Sequence, residues 1–106
     1  MMHAVTSVSG SGPAYVFAVM EAMQKAGEAQ GLNSALSAML ARKTVEGAAA
    51  LSAKSPDKSP EDLRCMVTSP GGTTAAALAS MQENGLDELF EKALKACAHR
   101  SVELSS

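Results

Sequence analysis

The segment Ser69-Pro70-Gly71-Gly72-Thr73-Thr74 gathers the residue types that hold a small anion. Two adjacent glycines leave the backbone bare and free to turn. A helix-forming run, Ala75 to Glu83, follows at once. The start of a helix carries unpaired N–H groups and a partial positive charge. A carboxylate is a natural guest for such a cradle, with the hydroxyls of Ser69, Thr73 and Thr74 as further donors. The plainer alternative is an ordinary turn in which Thr73 or Thr74 caps the helix. The Gly-Lys-[Ser/Thr] ending of a phosphate-binding P-loop is missing. A second segment, Ser9-Gly10-Ser11-Gly12-Pro13-Ala14-Tyr15, reads either as bare backbone approaching a ligand or another domain, or as a hinge into a helix.

Other reactive side chains form no set. Cys65 and Cys97 belong to no CxxC or Cys/His ligand spacing, so both read as buried thiols and no metal is expected. His3 lies near the start, and His99 reads as a surface residue compatible with a helix end. Glu61/Asp62 and Asp87/Glu88 sit early in their helices, where the dipole explains them better than acid–base work. Arg42, Lys43 and Arg64 could meet an anion, but solvated charge accounts for them. No GxGxxG dinucleotide fingerprint occurs, so the chain alone is not expected to turn over a nicotinamide substrate pair.

The elements that must position these segments are helices. Periodic apolar residues predict helices over 14–30, 34–53, 60–67, 75–83 and 86–102. Pro13 suits a first helical position, Gly31 a left-handed stop, and Asn33 an N-cap. Ser59-Pro60-Glu61-Asp62 combines a cap, a first-turn proline and two acids. Gly85 separates the last two helices, and Leu89, Phe90, Ala93, Leu94 and Cys97 are expected to face inward. No stretch alternates at period two, so no strand is predicted. The fold expected is an all-α bundle of about five helices in one domain, 1–106.

Hydrophobic residues make up 46% of the 106 and aromatics only 3%, so the core must be Ala, Leu, Val and Met, which suits helix-on-helix packing. The net charge of −2, with both signs scattered, offers no basic stripe for nucleic acid. No apolar run reaches the ~18 residues of a membrane span. The start, Met1-Met2-His3-Ala4, reads as a cut end without a signal peptide, which makes the cytoplasm the default location. The run Ala14-Tyr15-Val16-Phe17-Ala18-Val19-Met20 is apolar on every side. A helix apolar all round is normally buried all round, and a chain this short needs a second chain to cover it.

The two segments in this order, with Gly10 and Ser69 about sixty residues apart, resemble the C-terminal domain of pyrroline-5-carboxylate reductases. The likeness runs from Ala4-Val5-Thr6 through Gly10-Ser11-Gly12-Pro13-Ala14-Tyr15, Gly31-Leu32, Thr44, Gly47-Ala48-Ala49, Leu63-Arg64 and Val67 to Thr74. It closes with Ala98-His99-Arg100-Ser101 and Glu103-Leu104. Lys43 departs from the glutamine common in the family. The resemblance implies an all-α domain interleaved with a partner as a homodimer, with rings of dimers in some members, and an N-terminal Rossmann domain that this chain lacks. It implies reduction of 1-pyrroline-5-carboxylate to L-proline with NADP or NAD as cofactor, the last step of proline biosynthesis. Matched residue by residue, Ser69, Gly71, Gly72, Thr73 and Thr74 would bind the substrate, Thr74 as the catalytic hydroxyl near the ring nitrogen. Thr6, Gly10, Ser11, Gly12 and Pro13 would lie beside the nicotinamide. The alternative is a helical homodimerisation module without ligand binding.

Overall fold

Signals at the ends of helices shape most of this chain. In the computed structural model, which describes residues 1–106, the helices are α1 (Met2–Val5), α2 (Gly12–Ala29), α3 (Ser34–Lys54), α4 (Pro60–Met66), α5 (Thr73–Glu83) and α6 (Leu86–Leu104). A π-helical segment, Thr6–Gly10, continues α1, and there is no strand. The five helices expected from the periodicity are α2 to α6, each with ends within two residues of the prediction.

The caps explain where the helices start and stop. The Asn33 side chain accepts from the Leu36 N–H at 2.8 Å and opens α3. Ser59 and Asp62 form a reciprocal cap on α4: the Asp62 N–H donates to Ser59 Oγ at 3.1 Å, and the Ser59 N–H to Asp62 Oδ2 at 3.1 Å. Gly31, at φ +103°, follows α2, and Gly85, at φ +82°, parts α5 from α6; only glycine takes this left-handed backbone freely.

The N-terminal segment differs from the sequence reading. Ser9-Gly10-Ser11-Gly12-Pro13, whose composition is that of a turn, is largely helical: Gly10 ends the π-helical segment, Ser11 keeps a near-helical backbone (φ −94°, ψ −11°), and Gly12 and Pro13 begin α2. Packing overrides weak local propensity here. His3 Nδ1 lies 2.8 Å from Ser101 Oγ, the Cys97 thiol donates to Ser11 Oγ at 3.2 Å, and Ser7 is buried with its hydroxyl on the Ala4 carbonyl at 2.7 Å. Partners on α6 thus hold a stretch whose composition alone favours no helix.

The chain divides into two compact units, Met1–Pro13 with Arg64–Ser106, and Ala14–Leu63. In the first, α1, the π segment and α5 all pack against α6. In the second, α2 and α3 approach where Gly27 faces Ser37, whose hydroxyl donates to the Gln24 carbonyl at 2.7 Å.

Very little is buried. Ala41, at 4% exposure, is the one buried apolar residue, with Ser7 and Ser37 the buried polar ones. Val16, Val19 and Met23 of α2, and Leu36, Met39 and Leu40 of α3, are exposed, and Phe17 is 65% exposed. The expected inward face of α6 is only partly so: Leu94 and Cys97 are half-buried, but Leu89 is 64% exposed and Phe90 and Ala93 are also exposed. Cys65 is exposed and Cys97 half-buried, so neither is the fully buried thiol expected. Both corrections have one cause: periodicity reveals an apolar face, not whether the same chain covers it. The surface ion pairs, such as Glu21–Lys25 at 3.7 Å and Glu91–Lys95 at 3.6 Å, are solvated on both sides and add little.

Candidate functional site

The loop between α4 and α5 is built by one turn. The Gly72 N–H donates to the Ser69 carbonyl at 3.1 Å. Pro70 holds the second position and Gly71, at φ +70°, the third. This is the pattern of a type II turn, in which proline presets the first corner and glycine the left-handed second. A Cβ on Gly71 would meet nothing within 4 Å, so glycine is required there by handedness alone. A Cβ on Gly72 would lie 3.3 Å from the Ser69 carbonyl oxygen, a tight contact that the turn would have to relax by a few tenths of an ångström to accept.

The turn leaves the head of α5 open. Gly72 is the N-cap, with extended backbone (φ −87°, ψ −174°) and no side-chain cap. Neither Thr73 nor Thr74 caps the helix, so the turn of the plainer reading is present but its threonine cap is not. The first helical bond runs from the Ala76 N–H to the Gly72 carbonyl at 3.2 Å. The N–H groups of Thr73, Thr74 and Ala75 therefore make no hydrogen bond within the chain, and neither do the hydroxyls of Ser69, Thr73 and Thr74. Ser69, Thr73 and Thr74 are exposed and Ala75 is half-buried. A group of parallel N–H donors at the positive end of an 11-residue helix can bind a carboxylate.

The second predicted segment lies in the same unit. Thr6 and Ser11 line a hollow of about 290 Å³ with Cys97, Arg100, Ser101 and Leu104. Gly12 has open space where a Cβ would stand, and a Cβ on Gly10 would touch Thr6 Cγ2 at 3.3 Å. Pro13 is exposed in the first turn of α2, where its missing N–H costs nothing. Bare backbone beside an open surface fits the approach of a flat group. No hydrogen bond joins this segment to Ser69–Thr74; the π segment and α5 each pack on α6.

The remaining candidates stay apart. His99 is exposed, with Nδ1 3.9 Å from Glu103 Oε1, and Arg100 pairs with the same carboxylate at 3.3 Å. Arg64 borders a hollow of about 450 Å³ with Leu78, Ala79, Gln82 and Asp87, and has no ion pair. No three His, Cys, Asp or Glu side chains come together as metal ligands. No helix is long and apolar enough to cross a membrane. Thr68, two residues past α4, has no role in the sequence reading: its hydroxyl donates to the Arg64 carbonyl at 2.6 Å and its N–H to the Cys65 carbonyl at 3.2 Å. A hydroxyl residue four positions after a helical one was the available signal.

Known proteins match nearly the whole chain in sequence and fold. The family described as pyrroline-5-carboxylate reductase dimerisation matches residues 1–104. A pyrroline-5-carboxylate reductase of Pseudomonas aeruginosa is 51% identical over 102 residues, covering 96% of this chain and 37% of that protein. One of Arabidopsis thaliana is 45% identical over 105 residues, covering 99% and 38%. The chain thus spans 37 to 38% of the length of these relatives. The structure of a pyrroline-5-carboxylate reductase from Coxiella burnetii superposes with a TM-score of 0.91 at 44% identity, covering 98% of this chain and 38% of that one. A Plasmodium falciparum pyrroline carboxylate reductase, crystallised with NADP bound, gives 0.90 at 34% identity, covering 99% and 40%. The chain belongs to the dimerisation-domain family of the pyrroline-5-carboxylate reductases.

Proposed function

We propose that this chain is the dimerisation and substrate-binding part of a cytoplasmic reductase that converts 1-pyrroline-5-carboxylate to L-proline. It would act with a Rossmann domain outside these 106 residues. The observation that carries the reading is the set of free N–H groups on Thr73, Thr74 and Ala75, above a turn that only glycine completes.

In this reading the amides grip the substrate carboxylate. The ring carbon bearing that carboxylate is bonded to the imine nitrogen, so gripping one end fixes the C=N bond as well. Holding the reacting atoms in place is worth several kcal/mol of barrier in favourable cases, roughly 7–11 for well-aligned intramolecular reactions. Thr74, one residue into the same helical turn, brings its hydroxyl within reach of the nitrogen. A hydroxyl is a weak acid near neutral pH, so Thr74 orients the nitrogen and donates a hydrogen bond as electron density grows there. The nicotinamide cofactor, NADPH or NADH, supplies the hydride when bound. Thr6, Gly10, Ser11, Gly12 and Pro13 would flank its ring, the missing side chains leaving space for it. The NADP in the Plasmodium relative's structure agrees with this chemistry.

A further observation supports pairing with a second copy. The apolar faces of α2 and α3 stand exposed in one chain. The partner that fits is a second copy, a reading supported by the family's description as a dimerisation domain.

Titrating the chain with L-proline and following amide shifts by NMR tests the site. Local shifts at Gly71 and Thr73–Ala75 are expected. Silence there at saturating proline would leave only a homodimerisation module without ligand binding.

A further inference from the structure

Resting on that carboxylate reading, we propose that Thr68 is a positioning residue for the site, holding the glycine turn at the angle that aims the α5 amides. The geometry is a short relay. The Thr68 hydroxyl donates to the Arg64 carbonyl at 2.6 Å, and its N–H to the Cys65 carbonyl at 3.2 Å. Two bonds to the last turn of α4 thus fix both the backbone and the half-buried side chain of Thr68. The next residue, Ser69, presents its carbonyl to the Gly72 N–H at 3.1 Å. Gly72 lies close against Ser69, since a Cβ there would sit 3.3 Å from that carbonyl oxygen. Gly72 in turn is the N-cap of α5. A rotation at Thr68 therefore passes through Ser69 to Gly72 and tilts the three open N–H groups together.

The hydroxyl is the part of Thr68 that carries this role. A Thr or Ser hydroxyl bonded four residues back satisfies a carbonyl that the end of a helix leaves without a partner, an interaction open to no apolar side chain of the same shape. Thr68→Val keeps the branched shape and loses the donor; Thr68→Ser keeps the donor and loses a methyl. The Kd of each variant for L-proline is read from the NMR shifts at Gly71 and Thr73–Ala75, with helical circular dichroism recorded on the same samples. Thr68→Ser is expected to bind within twofold of the unaltered chain. Thr68→Val is expected to bind about fivefold more weakly while remaining helical, the loss of one net hydrogen bond. Thr68→Ala repeats the test without the β-branch. A Thr68→Val or Thr68→Ala chain that binds proline as tightly as the unaltered chain overturns the proposal. Loss of helix in both overturns it too, because Thr68 would then hold the fold and not the loop. If the unaltered chain itself gives no shifts at those amides, the carboxylate reading fails first and takes this proposal with it. Binding that is intact in the unaltered chain and insensitive to Thr68 condemns the relay alone.

Discussion

Replacing Gly71 by alanine isolates the handedness of the loop from every other effect. Gly71 has φ +70°, and a Cβ there would touch nothing within 4 Å, so the substitution adds no collision. What it adds is the cost of a left-handed backbone at an L-residue, about 1–2 kcal/mol. Alanine also restricts the unfolded chain, which returns about 0.4–1 kcal/mol. The net destabilisation of the turn is therefore about 1 kcal/mol, close to a fivefold drop in its ordered-to-disordered ratio. Only the ordered turn presents the Thr73–Ala75 amides, so the Kd for L-proline should rise by up to about that factor, in full where the turn is only sparsely ordered without ligand. Gly12→Ala serves as the control: its Cβ also meets nothing within 4 Å, and its φ is not positive. It should change stability by less than about 0.5 kcal/mol, as surface substitutions away from special backbone do. Urea unfolding followed by circular dichroism, at one fixed chain concentration, measures both variants, and NMR shifts give the proline affinities. If Gly71→Ala matched Gly12→Ala in both measurements, the left-handed turn could not be what organises the site.

Three further outcomes are expected. Light scattering at micromolar concentration should give twice the chain mass, and Phe17→Asp, which sets a charge on the exposed face of α2, should shift the population toward monomer; a clean monomer in the unaltered chain would remove the argument from that face. Gly27→Val should cost roughly 1–3 kcal/mol in thermal or urea unfolding, because the new Cβ collides with Ser37 Oγ and breaks its bond to the Gln24 carbonyl; an unchanged Tm would mean that α2 and α3 do not meet there. Mixed with NADPH and 1-pyrroline-5-carboxylate, the 106-residue chain should give no loss of nicotinamide absorbance, since its sequence has no dinucleotide fingerprint; measurable turnover would relocate the cofactor site.

How far the sequence carried depended on the range of each interaction. Asn33, Ser59, Gly31 and Gly85 act on atoms within a few residues of themselves, and the helix ends they predict are found. The Ser69–Thr74 loop was legible for the same reason: a type II turn and an open helix start are local geometry. The helical segment from Met2 to Gly10 was not legible, because its hold comes from Ser101 and Cys97, roughly ninety residues away. Likewise Leu89, Phe90 and Cys65 carry the right residue types for an interior, yet one chain does not enclose them. Thr68 lies between these cases: its partners are close in sequence, but its consequence, the aim of α5, emerges only once Ser69 and Gly72 are seen in contact.

With Ala41 as its single sequestered apolar residue, a solitary copy has almost nothing to offset the entropy lost when about a hundred residues become ordered. Becoming ordered and finding a mate are then one event governed by mass action, and the temperature at which the chain melts climbs with its concentration. Dilution joins heat and urea as a way to unfold it.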